Sequence, residues 1–177
     1  MPYSKLPPVA SFPVTSPDFT PGGPFAPAQY SAVFQVPGGQ DLSPQLDWSG
    51  APEGTKSFAV TMFDPDAPIP SGFWHWGLVD LPADTEGLPA GAGAPDAKLP
   101  GAAFHLPMEA GMNQFVGAAP PAGTGRHRYV FAVHALDVDS VRDLGVTDKS
   151  SIAVFHFTVR EHTLARGLVE GWASADE

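Results

Sequence analysis

The chain has no cysteine, which removes disulfides, thiolate nucleophiles and Cys-ligated zinc together. Basic residues are scarce as well: Lys and Arg number 9 against 19 Asp and Glu, a formal net charge of −10. Nucleic-acid phosphates need clustered Lys and Arg, so that partner class is disfavoured. The same shortage argues against electrostatic adhesion to an anionic leaflet. Long apolar runs are missing too, so nothing reaches the length needed to cross a bilayer, and MPYSKLPPVASF at the N-terminus lacks an apolar signal core. The expectation is a cytoplasmic protein without stable membrane insertion. Any anionic ligand must be held by a local constellation working against the overall field.

Glycine and proline are in excess, at 19 and 21 of 177 residues. Their clusters alternate with aromatic and β-branched blocks, a pattern that suits a β domain with long, stiff, ordered loops. The length fits one domain over 1–177, with 1–10 an extended arm, and 43% hydrophobic residues suffice for its core. Short strands are predicted at Tyr30 to Val36 and Gln45 to Trp48. Stronger ones follow at Lys56 to Phe63, Phe73 to Leu81 and Arg126 to Val138. The first of these strong strands, KSFAVTMF, is apolar on both faces and so buried on both sides. Loops over 82–125 are too long for plain connections, which suggests function or a covering role. After Gly145, Asp148 or a neighbouring Ser caps a helix predicted to run to about Trp172. Strands followed by one helix predict a mostly β fold with a C-terminal helix on the sheet.

Two clusters carry chemistry. Asp64-Pro65-Asp66-Ala67-Pro68 leaves a buried strand, with His75 between Trp74 and Trp76. Gly117 to Gly125 then enters a strand bearing His127, Arg128 and Tyr129. A strand-end carboxylate, two imidazoles, a phenol and a Gly-rich loop with free N–H groups would suit a phosphate or carboxylate. Each piece also has a structural use: Asp-Pro as a turn, a His between tryptophans as a core residue, PPAGTG as a stiff turn.

The order SPQLDWSG (43–50), GTKSFAV (54–60), DPDAP (64–68), WHW (74–76) and FVGAAPPAGTGRHRYVFAVHALD (115–137) resembles the phosphatidylethanolamine-binding protein family, in particular its bacterial, Raf kinase inhibitor-like branch. The resemblance covers about residues 10–172. It implies an antiparallel β-sandwich of two packed sheets with peripheral helices and a small pocket for phosphate-type anions such as phosphoethanolamine-like headgroups. Carried over, the pocket residues are Asp64, His75, His127 and Tyr129, with Pro68, Ala119 and Pro120 at the rim. Asp66, Trp74 and Gly117 stand in support, Asp66 as a strand-end hydrogen-bond partner. Position 119 is alanine where many relatives carry glycine, which narrows the rim. His105 and His134 match no motif role and read as core or surface residues. The resemblance also implies a cis Ala67–Pro68 bond, no cofactor, and a non-enzymatic binding module whose protein partner, a kinase or peptidase, is unidentified. It tilts toward a homodimer.

Two alternatives stand beside it. An acid–base hydrolase would rest on Asp64 and His75, since no GxSxG elbow exists. A metal site would draw on Asp64, Asp66, His75 and His127, although no HExxH-like spacing supports it. Alternation along the strand predicts that Trp74 and Trp76 both face away from the His75 imidazole.

Overall fold

A computed structural model describes residues 2–177. Two antiparallel sheets build the molecule. The larger has the order β6-β4-β3-β7-β8, from β3 (Ser57–Asp64), β4 (Phe73–Pro82), β6 (Phe104–His105), β7 (His127–Leu136) and β8 (Thr163–Ala173). The smaller, β1-β2-β5, joins β1 (Val14–Thr15), β2 (Leu46–Trp48) and β5 (Gly87–Leu88). The mostly β, two-sheet architecture expected from the sequence is present.

Strand β3 sits at the centre, and its two apolar faces explain the layering. Phe58, Val60 and Met62 enter the core shared with Leu46, Trp48, Leu88 and Phe131. Ala59 turns the other way, into a second core with Leu106, Ile152, Phe155 and Val159. The small sheet and its loops therefore cover one face, and the helix α1 (Ile152–Val159) covers the other. Phe115 and Ala92, from the long 82–125 connection, are buried in the first core, which gives that segment its covering role.

Four local expectations change. Residues 30–36 form no strand: Tyr30 makes one isolated bridge to Ala118, and the chain then turns, with Gln35 N donating to Ala32 O. The arm is not extended throughout, because Pro2–Lys5 is a 3-10 turn and Tyr3 reaches Thr61 at 3.3 Å. No cis peptide bond occurs among the described residues, so Ala67–Pro68 is trans. The reversal is made by Ile69 N donating to Ala67 O at 2.7 Å and by Gly72 at φ +65°, leaving nothing to offset the ordinary trans preference.

The fourth change concerns the C-terminal helix. Ser151 caps it, its Oγ accepting from Val154 N at 3.2 Å, but it ends at Val159. Residues 163–173 instead form the edge strand β8, paired with β7 from Leu136↔Thr163 to His127↔Ala173. Gly167 and Gly171 decide this locally. A Cβ on Gly167 would press on Val14 and lie 2.8 Å from Phe12 O, and one on Gly171 would strike Phe25. They are gaps in a strand face that receives other side chains, and glycine weakens a helix besides.

Candidate ligand-binding site

The site forms where β3 ends, β4 begins and β7 begins. Asp64 closes β3 and pairs with Phe73, while His127 opens β7. In this buried place His127 Nδ1 lies 2.8 Å from Asp64 Oδ2. The other carboxylate oxygen, Oδ1, accepts from Asp66 N at 2.8 Å, so DPDA folds back on its own first carboxylate. His127 Nε2 meets Thr124 Oγ1 at 2.8 Å, and the same hydroxyl lies 2.6 Å from Pro121 O.

His75 reaches the site through a break in the β3–β4 register. Phe63 pairs with Trp74 and Met62 with Trp76, which leaves His75 as the extra residue of a β-bulge. The bulge overturns the expected alternation. His75 lies edge-on to Tyr129 at 5.1 Å and shares its side with Trp76, which is buried against Phe115. Trp74 alone goes to the opposite face, where it stacks on His156 at 4.6 Å. His75 Nδ1 donates to Val116 O at 2.9 Å, and Val116 N returns a bond to His75 O at 3.0 Å. Its Nε2 makes no hydrogen bond among the described residues and stands at the cavity wall as an acceptor. Burial pushes the His75 pKa below its ordinary value, overcoming the opposing pulls of Val116 O and Asp64.

The cavity in front of these groups measures about 1030 Å³. Asp64, His75 and His127 lie in its wall with Pro68, Ala119 and Pro120. Phe34, Ile69, Phe73, Pro121 and Trp172 make much of the remainder apolar, and Glu177 adds a second carboxylate, already paired with Arg126 at 2.7–2.9 Å. Among the described residues no Lys or Arg lines it. Tyr129 sits beneath the wall, fully buried, its hydroxyl without a hydrogen-bond partner among the described residues. Burial, reinforced by the Asp64 charge, pushes the phenol pKa up.

Asp66 and the Gly-rich loop bear on the alternatives. Asp66 is turned outward to Arg128, accepting from N, Nε and Nη2 at 2.7–2.9 Å, and that contact holds its pKa down. The four residues of the candidate metal set therefore do not converge, and no group of three His, Asp or Glu among the described residues could hold a metal ion. The Gly-rich loop offers few free N–H groups: only those of Ala119 and Ala122 make no hydrogen bond among the described residues. Gly117 N goes to Asp41 Oδ1, Ala118 N to Gln29 O, Thr124 N to Pro121 O, and Gly123 N and Gly125 N to Asp176. Gly117 serves close packing, because a Cβ there would lie 2.5 Å from the Tyr30 carbonyl carbon. Sequence reading missed Thr124, Asp41 and Asp176. Thr124 could have been found as the hydroxyl nearest the His127 motif, whereas the two aspartates are distant and carry no local signal.

A β-sandwich with an acceptor-lined cavity between three strand ends defines a ligand-binding module. The family model for phosphatidylethanolamine-binding proteins matches residues 15–173, and the chain belongs to that family. It is similar to the UPF0098 protein YbhB of Escherichia coli K12, 46% identical over 127 residues, covering 72% of this chain and 78% of YbhB. It is also similar to YbcL of the same organism, 41% identical over 157 residues, covering 88% and 84%. The crystal structure of E. coli YbcL superposes with a TM-score of 0.87 at 36% identity, covering 94% of this chain and all of that one.

Proposed function

We propose that the protein binds small phosphomonoesters that carry their own hydrogen-bond donors, phosphoethanolamine-like headgroups above all, and performs no chemistry on them. The observation that carries this reading is the free His75 Nε2 acceptor beside the Asp64 carboxylate, with no cationic side chain in the wall. A bare phosphate dianion would be repelled there. A phosphomonoester with one proton retained can donate to Nε2, and an ammonium on the same ligand can meet the Asp64 carboxylate. This revises the expected carrier of the proton: burial disfavours protonated His75, so the ligand supplies the bridge. The apolar mouth at Phe34, Ile69 and Phe73 would take an attached chain or the side chain of a protein partner.

The hydrolase alternative shifts from Asp64–His75 to the run Thr124–His127–Asp64, which has the order of a nucleophile, a base and an orienting acid. Against it, the Thr124 hydroxyl is tied to Pro121 O, and the amides of Gly117, Ala118, Gly123, Thr124 and Gly125 are already bonded, which leaves few to stabilise an oxyanion. Incubation with aryl esters and aryl phosphates should give no turnover above solvent.

Calorimetry tests the binding reading. Affinity for phosphoethanolamine should fall at least tenfold as pH rises from about 5.5 to about 8.5, through the ligand's second ionisation near 6. Glycerophosphoethanolamine, a diester with no such proton, should bind weakly and without pH dependence over that range. Equal affinity for the two esters, or undiminished binding by His75→Ala, would remove His75 Nε2 from the site.

A further inference from the structure

A second cluster lies on the opposite face of the large sheet, beneath the N-terminal strap. Arg166 belongs to β8 and is only 9% exposed. Buried guanidinium groups are ordinarily neutralised, and this chain has acids to spare, yet no ion pair among the described residues includes Arg166. The groups packed around it are not acids. Arg166 Nε donates to His134 Nδ1 at 3.2 Å, and its guanidinium carbon stands 5.0 Å from the Tyr3 ring centroid. His134 Nε2 then meets Thr61 Oγ1 at 3.3 Å, so this imidazole accepts on one nitrogen and donates on the other and is neutral. His156 lies 5.0 Å from His134 with its Nε2 buried and unpartnered among the described residues. The cluster carries one positive charge and no counter-charge.

The guanidinium is held in place. Its Nε is anchored, one face is covered by Tyr3, and its backbone N–H donates to Ala10 O at 2.9 Å, which pins the strap alongside. Neither terminal nitrogen makes a hydrogen bond or ion pair among the described residues, and both remain accessible at the surface of the cavity. Arg166 lies in the wall of a cavity of about 290 Å³ between β8 and the strap. Leu6, Pro7, Pro8, Val9 and Leu168 make most of the remaining wall apolar. A fixed two-pronged donor beside an apolar wall matches a carboxylate joined to a short aliphatic group, and planar carboxylate geometry suits a guanidinium fork.

We infer that this strap cavity is a second binding site, separate from the Asp64–His127 pocket, which takes short-chain monocarboxylates with the carboxylate on Arg166 and the aliphatic part against Leu6, Val9 and Leu168. The cavity holds roughly ten times the volume of one water in the liquid, enough for a chain of a few carbons and too little for a long acyl tail. Burial pushes the Arg166 pKa down, as an uncompensated buried cation requires, and a bound carboxylate relieves that cost.

The test is a heteronuclear NMR titration of the full chain with butyrate in low-chloride buffer. Saturable shifts are expected at the amides of Tyr3, Val9, Ser11 and Arg166 to Leu168, with the Gly117 to Gly125 loop unmoved. Arg166→Gln should weaken binding at least tenfold. Should that variant not fold, Leu168→Glu decides: its own carboxylate, two residues along the same strand face, should pair with Arg166, abolish butyrate binding and raise the melting temperature. Chloride or inorganic phosphate shifting the same amides at the same concentration would show an adventitious ion only and overturn the inference. So would butyrate binding at wild-type strength in either variant, or no butyrate shift at those amides at tens of millimolar.

Discussion

Trp76 and Trp74 are two residues apart, yet the bulge at His75 gives them different surroundings. Trp76 is wholly buried, and its indole N–H donates to His105 Nδ1 at 3.2 Å. Trp74 is partly exposed, packed between Phe63 and His156 on the helix side. Trp76→Ala should therefore cost about 3–5 kcal/mol, as other large truncations in a close-packed core do, and it also strips His105 of its donor. Trp74→Ala should cost clearly less. Urea denaturation of both variants measures the difference, and equal losses would mean that the two rings share one face. A second contrast separates Asp64 from Asp66, alike in sequence. Asp66 makes a bidentate contact with Arg128 near the surface, worth up to about 1 kcal/mol. Asp64 is buried against His127, and removing one partner of such a pair leaves a stranded charge. His127→Ala should accordingly destabilise by about 3 kcal/mol, against 1 or less for Asp66→Ala, by the same denaturation measurement.

At the scale of elements, β8 makes a prediction whose sign depends on its being a strand. Gly167→Ala should destabilise by about 1–3 kcal/mol, because the added methyl meets Val14 and Phe12. In a helix the same change would stabilise by about 1 kcal/mol, so a rise in melting temperature would count against the pairing with β7. The element also shows what the sequence could and could not reveal. β3 and β7 were legible because continuous apolar runs buried on both faces leave few alternatives. TLARGLVEGWA was not, because helical and alternating readings both fit its apolar residues. Its glycines mattered only through Phe12, Val14 and Phe25, more than 140 residues away. The site divides in the same manner. Asp64, His75 and His127 were readable from two motifs, and Pro68, Ala119 and Pro120 from the resemblance those motifs carry. The bulge that turns His75, and the capture of the loop amides by Asp41 and Asp176, depend on segments that meet only in the folded chain.

For the whole molecule, acid should be the weak flank, and the reason is histidine burial rather than the excess of carboxylates. His75, His105, His134 and His156 all have pKa values pushed below the ordinary 6.5, burial being the largest cause for each, and His156 falls to about 3. For His134 the nearby His156 and the Arg166 cation add to the effect, and Arg166 does so for His156. Folded, these rings stay neutral, whereas unfolded they bind a proton below about pH 6.5. The unfolded state then holds more protons, so stability falls as pH falls. The neutral rings' contribution is complete above the unfolded value and is lost progressively below it, for His156 down to about pH 3. Each ring contributes a slope of roughly 1 kcal/mol per pH unit inside that window. Unfolding free energy should be nearly level from about pH 8 to 7 and drop steeply between about pH 6 and 4. His156→Phe tests the cause. It keeps a ring against Trp74 and Phe155, removes the unpartnered Nε2 and cannot take a proton. That variant should match or exceed the wild type at neutral pH and lose stability less steeply below about pH 6. Equal slopes for the two proteins would place His156 in contact with water and show that other groups govern the acid limit.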